Sequence, residues 1–332
     1  MISTRIFALT WAMFAASAAL AAPPSYKIVD RIAGPDGRWD YVRVDAANNR
    51  VLVVHGTSVM SVDLATNAVT AGLVPGKLLH DALPVNGGAQ YLVTDGGSGT
   101  AVFVDAKTNA VMTTVKAGVN PDAATFDPHS GLVLVMNHSG GDITLIDPKA
   151  QTAVGVIPVG GALEAAAVDG AGKAFVNVED KNQIAVVDIA ARTVTARYPL
   201  TGCDGPTGIA YDAADRMLIV ACDGITAFVD AGSGTVLQTL ATGKGADGVA
   251  FDAARRLAFT AAGRDGAMAV IAVRRGKSSV VQTVQTEVSA RTIALDSRTG
   301  RLYLPSARLM PAASGGRPTL VPGTFRLLVI SP

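Results

Sequence analysis

The chain has 332 residues, 49% of them apolar and only 5% aromatic, with 28 basic against 27 acidic side chains and two cysteines. A formal net charge of +1 gives no support for strong nucleic-acid binding, which relies on clustered cations neutralising phosphates. Apolar residues are spread evenly and glycine and proline gather at turns, so there is neither a low-complexity tract nor a linker dividing the chain.

Arg5 precedes the apolar run from Ile6 to Leu20, and Ala19-Leu20-Ala21 offers the small residues that signal peptidase reads. The run is short for a membrane span, and Pro23 and Pro24 would stop its helix; a retained anchor is the alternative. Residues 1–22 are therefore expected to be a signal peptide and 23–332 a soluble extracytoplasmic domain with no membrane span, expected to be a monomer. Without Arg5, Lys plus Arg falls from 28 to 27 and balances the 27 acids.

Tyr26 to Ala33 is an isolated strand-like stretch. Beyond it, Asp63, Asp105, Asp147, Asp188 and Asp230 recur at intervals of 42, 42, 41 and 42 residues, each closing an apolar run such as TAVFVD or DITLID. A second Asx series, Asp45, Asn86, Asp127, Asp169, Asp212, Asp252 and Asp296, opens polar turns such as DPHSG and DSRTG, where a short side chain bonds backbone two residues on. The period is that of WD40-like blades of four short strands. Seven markers predict an all-β, seven-bladed β-propeller. The sixth repeat keeps the register but carries Ala272 where the third-strand Asp is expected. The last repeat has three strands, Arg291 to Asp296, Arg301 to Ala307 and Phe325 to Ile330, before the chain stops at Pro332. The N-terminal stretch is therefore predicted to close the last blade, because an open ring leaves a strand edge unpaired.

Cys203 precedes the first strand of the fifth repeat and Cys222 ends its second. Antiparallel pairing of those strands brings the two together, so a disulfide is expected in an oxidising compartment, with free or metal-bound thiols as the alternative.

In a propeller the loops between second and third strands and between blades share one face, and the tight hairpins share the other. The first set is the richer: HGTS at 55–58, DGGSG at 95–99, NHSGG at 137–141, VEDKN at 178–182, GRDG at 263–266 and a long excursion from Ser306 to Thr324. A site is expected there, with Asn137 and Glu179 among its loop residues. Five residues before each strand-ending Asx stand Asp40, Asp81, Asp122, Glu164, Thr207, Asp247 and Arg291. Five of these seven are acids, and the column falls where the innermost strands emerge at the mouth of the central channel.

Carboxylates converging in a partly desolvated funnel repel one another unless a cation, a basic ligand group or protonation relieves them. The structural alternative is that each accepts backbone N–H bonds from its own loop and pins the blade. Arg291 offers a bidentate clamp for a carboxylate or phosphate, or a partner for Asp247 or Asp40. His55, His80 and His138 fall on the same face; His129 belongs to a hairpin opposite. No H-x-x-H or C-x-x-C spacing marks a zinc site, so a divalent metal ion would be assembled across blades, with His55, His80 and Glu164 as its candidate ligands. Trp39, beside Asp40, is either a stacking platform for a ring-shaped ligand or a rim-packing residue. There is no G-x-S-x-G, Walker A or dinucleotide fingerprint.

The runs RVLVVHGTSVMSVDLATNAV, GLVLVMNHSGGDITLIDPKAQTAV and KAFVNVEDKNQIAVVDIAARTV resemble the YVTN-type β-propeller repeat. With RWDYVRVD at 38–45 and ARTIALDSRTGRLYLP at 290–305, followed by VPGTFRLLVI, the chain from residue 23 onward is similar to the bacterial YncE-like exported propellers. The tetrapeptide itself is altered, to VLVMN and AFVNV. The resemblance implies a periplasmic seven-bladed propeller and carries no shared catalytic residues to map. Three functions stay open: a non-catalytic binding or scaffold protein for a small ligand, cation or periplasmic protein partner; a metal-dependent lactonase-like hydrolase or lyase; and an accessory of a periplasmic redox enzyme system, without covalent haem because C-x-x-C-H is absent.

Overall fold

Seven four-stranded antiparallel sheets close into a ring, and each is one sequence repeat except the last. The computed structural model describes residues 25–310 and 318–332; the expected signal peptide, residues 1–22, lies outside them. Blade 1 runs through Val42–Asp45, Arg50–His55, Ser58–Asp63 and Val69–Thr70, and blades 2 to 6 repeat that order. Blade 7 is made of Ala294–Asp296, Arg301–Ser306 and Arg326–Ser331, and its outer strand is Lys27–Ala33 from the other end of the chain. The predicted closure is thus present, and Tyr26 fastens it. Its backbone exchanges hydrogen bonds with the Gln282 amide (2.8 and 2.7 Å), and its ring meets Phe259 of blade 6 edge-on at 4.9 Å.

The periodic aspartates are turn anchors. Asp63 Oδ1 accepts from the backbone N–H groups of Ala65 and Thr66 and from the Thr66 hydroxyl, and Asp105 and Asp230 repeat the arrangement one and four blades on. Four residues beyond each third-strand marker the backbone turns left-handed, at Asn67, Asn109, Gln151, Arg192, Gly234 and, after Ala272, Gly276. The local bonding that a short carboxylate supplies accounts for the 42-residue period.

Burial lies between blades, and the described apolar core divides into seven clusters, one for each neighbouring pair. Alternation sends successive side chains to opposite faces. On Arg50–His55, Val51 and Val53 therefore face blade 7, and Leu52 and Val54 face blade 2. Both faces being covered, the second and third strands are continuously apolar instead of alternating. In blade 5 the Cys203–Cys222 disulfide joins the approach to the first strand to the end of the second. Among the described residues no helix is long and apolar enough to cross a membrane.

Candidate functional site

The acid column sits where each innermost strand begins, and in blades 2, 3, 4 and 6 a register shift falls at that point, between Leu79 and Ala82, Pro121 and Ala124, Leu163 and Ala166, and Ala246 and Gly248. A bulge of this kind re-aims a side chain out of the ladder. The acids do not act alike.

Asp81 is fully buried and belongs to a structural lock. Its carboxylate takes both nitrogen arms of Arg43 (2.8 and 2.5 Å) and the backbone N–H groups of Ala82 and Ala124. The Thr94 hydroxyl ties it to its neighbour by accepting from the Asp81 N–H and donating to the Asp122 carbonyl. Among the described residues, Asp81 is the one member of the column whose carboxylate accepts backbone N–H bonds, so pinning of the blade explains that position and leaves the other acids to be explained.

Asp40, His80, Asp122, His138 and Glu164 form a connected array on the blade 1 to blade 4 side. His80 Nδ1 lies 2.7 Å from Asp40 Oδ2 and 3.2 Å from Asp122 Oδ1, and its Nε2 is 3.2 Å from Asn120 Oδ1. His138 Nδ1 lies 3.1 Å from Glu164 Oε1. Burial, then the charges of Asp40, Glu164, Asp247 and Asp81, push the Asp122 carboxyl well above the usual carboxylate range. Burial raises Glu164 to about 7 against the opposing pull of His138. Burial works against a proton on His80, but the hydrogen bond and charge of Asp40 outweigh it and the pKa rises. At the centre stands Tyr41, which crosses the channel to pack on the cluster between blades 3 and 4; burial and the surrounding carboxylates keep its phenol protonated far above the ordinary range.

The other side of the mouth opens into a cavity of about 680 Å³. Its inner wall carries Trp39, Thr207, Asp247 and Arg291, and its outer wall includes Leu309, Met310 and Leu320 from the excursion of blade 7, where Leu309–Met310 pairs antiparallel with Thr319–Leu320. Arg291 Nε donates to Asp247 Oδ2 at 2.5 Å, its NH2 donates to the Trp39 carbonyl at 3.0 Å, and its guanidinium lies over the Trp39 ring at 5.8 Å. Asp40 Oδ1, at 3.8 Å from Arg291, links this half to the carboxylate array. Trp39 is 5% exposed and packs against Phe325, so it is a rim residue that shows the cavity only part of its ring. Glu179, in the turn Glu179–Lys181, reaches the same cavity.

Two expected site residues point elsewhere. His55 shares the strand face of Val51 and Val53, so it enters the interface with blade 7, where its ring meets Phe325 at 4.3 Å and neither nitrogen has a partner. The trio His55, His80 and Glu164 is therefore not brought together as a metal set. His80 and Glu164 fall instead in two adjoining groups, Asp40–His80–Asp122 and Asp122–His138–Glu164, with Asp122 common to both. Asn137 is fully buried and spent on loop geometry, accepting from the Gly118 N–H and donating to Asp142 and Thr144. A Cβ on Gly118 would lie 2.5 Å from its amide nitrogen, so that glycine is needed for the close approach. Tyr41 and Arg43 were missed by the sequence reading, although a signal existed. Tyr41 stands in a column otherwise filled by Ala82, Ala123, Ala165, Gly208, Gly248 and Thr292, and Arg43 in one filled by Pro84, Thr125, Ala167, Ala210, Ala250 and Ala294.

No family model and no curated protein sequence matches the chain. Among solved structures it is similar to a chain of the mitotic checkpoint complex, with a TM-score of 0.74 at 14% identity over 100% of this chain and 99% of that one. It is also similar to a chain of Kuenenia stuttgartiensis hydrazine synthase, with a TM-score of 0.70 at 14% identity over 88% of this chain and 96% of that one. At such identity the likeness carries the propeller fold alone.

Proposed function

We propose that this propeller is a non-catalytic binding protein of the periplasm, of the YncE-like kind, which takes a small amphipathic anion into the cavity on its loop-rich face. The observation that carries the reading is the composition of that cavity. Leu309, Met310, Leu320 and Trp39 supply an apolar wall, and Arg38, Arg264 and Arg291 outnumber Glu179 and Asp247 along its polar edge. A ring or short alkyl body would rest on the first, and its carboxylate or phosphate would meet the second. Binding is favoured over turnover because Asp247 and Arg291 are paired with each other, which makes them fixed recognition elements. The disulfide is compatible with an oxidising compartment, and the fold is one that serves as an interaction scaffold.

Protein lacking residues 1–22 retains Trp39 as its single tryptophan, so its fluorescence reports on the cavity. Titration with aromatic carboxylates is expected to change that emission saturably, and the matching aromatic amines are expected to have no effect. Met310→Glu, at an exposed residue, should abolish the response while leaving the melting temperature unchanged. A response to amines and carboxylates alike, or one indifferent to Met310→Glu, would defeat the reading.

A further inference from the structure

We propose that the blade 1 to blade 4 side of the mouth binds one divalent transition ion of the zinc class, held by Asp40, His80 and Asp122, with Glu164 and His138 flanking it. This site is separate from the ligand cavity, whose wall includes none of these five side chains.

Geometry is the first support. One ligand atom from each of Asp40, His80 and Asp122 lies within 4.8 Å of the others, and the same holds for Asp122, His138 and Glu164. A tetrahedral shell with bonds of about 2.1 Å spaces its ligand atoms by roughly 3.4 Å. The 3.2 Å between His80 Nδ1 and Asp122 Oδ1 is close to that spacing, and Asp40, now at 2.7 Å, needs only a small outward shift.

The independent observation is Asp122 Oδ1. It is buried, belongs to a residue 7% exposed, and accepts no hydrogen bond, because the one from His80 goes to Asp40. A buried carboxylate oxygen without a donor is costly unless something cationic completes it. The neighbouring carboxylates cannot, Arg291 is taken by Asp247, and His80, whose Nδ1 stands 3.2 Å away, directs its hydrogen to Asp40 instead.

Orientation of the imidazole agrees. Its Nε2 faces Asn120 Oδ1, an acceptor, so that nitrogen carries hydrogen and leaves Nδ1 to ligate between the two carboxylates. An outer oxygen holding the far side of a ligating histidine is the usual support of a metal site. The donor set also selects the ion. Calcium takes six to eight oxygens and magnesium keeps its waters, but one imidazole with two carboxylates suits zinc and its first-row neighbours. Two carboxylates balance the charge of the ion, and the remaining coordination position is left for water.

The test uses the full chain after chelation and dialysis, titrated with ZnCl2 and with CaCl2 by calorimetry, with native mass spectrometry for stoichiometry. One zinc per chain, bound far more tightly than calcium, is expected. Asp122→Asn removes a buried charge without removing volume, so it should fold and lose zinc binding. Asn120→Ala should weaken binding by ~10–100-fold, the cost of losing an outer partner. His129→Gln, on an exposed hairpin of the opposite face, should change nothing. Absence of stoichiometric zinc in the wild type, equal affinity for calcium, or unchanged uptake by folded Asp122→Asn would each overturn the proposal.

Discussion

His55 allows the interior of the ring to be probed by pH. The residue is 4% exposed, its ring lies against Phe325, and neither nitrogen has a hydrogen-bond partner, so burial drives its pKa down to about 4, with Asp36 opposing only in part. In the unfolded chain the same imidazole titrates near ~6.5. The folded state thus binds fewer protons, and stability is fully present above the unfolded value and lost as pH falls toward the folded one. Linkage puts the loss at about 2 kcal/mol by pH 5, and about 3 kcal/mol once pH passes below the folded pKa. His55→Leu keeps most of the volume and removes the titration. Urea unfolding of both proteins at pH 8, 7, 6 and 5 should show the variant gaining about 2 kcal/mol on the wild type across that range. The carboxylates with raised pKa values, Asp122, Glu164 and Asp247, titrate in both proteins and cancel in the difference. Parallel stability curves would refute the argument, and would mean that His55 finds a partner or water in solution.

Two further contacts, those of Tyr26 and Arg43, test how the ring is held. Tyr26→Ala removes the ring that fastens the closing strand to Phe259 and should cost about 3–5 kcal/mol in urea unfolding. Tyr26→Phe keeps the ring and deletes a buried hydroxyl without a partner, so it should be neutral or slightly stabilising; an equal loss from both would place the fastening outside that aromatic contact. Arg43→Met strands the fully buried Asp81 carboxylate and is expected to cost about 3–5 kcal/mol. Adding Asp81→Asn removes the stranded charge but keeps an acceptor for only one of the Ala82 and Ala124 N–H groups, so it should recover part of the loss, and a double variant no better than the single one would show that Arg43 acts through packing.

The ring was legible because its period is written by turn chemistry. Asp63, Asp105 and Asp230 each bond the backbone just after their own strand, so the signal is local and survives in a single sequence. Closure was legible by subtraction, since one strand was missing at the end and one was spare at the start. The acid column was legible too, but its pairing was not, because each carboxylate takes its partner from another blade, which no local pattern records. Asp81 turns to Arg43, 38 residues earlier, and Arg291 reaches the Trp39 carbonyl 252 residues away. For His55 the information was present: with Val51 and Val53 it shares one face of a strand, and the two-residue period places it between blades.

Departures from the repeat therefore say more about function than the repeat does. A position acid in every blade would be explained by the ring itself, as Asp81 nearly is. The column instead turns to Thr207 and Arg291 in blades 5 and 7, and both side chains line the cavity. Histidines follow the reverse rule, with His80 and His138 on the side where the acids are kept. A mouth carrying carboxylates and imidazoles on one side, and guanidinium with apolar wall on the other, has lost the sevenfold symmetry of its scaffold. Asymmetry of this kind is what two different ligands require, and Arg291→Asp would put a sixth carboxylate in the column, beside Asp247 and Asp40, in place of the guanidinium that now pairs with Asp247.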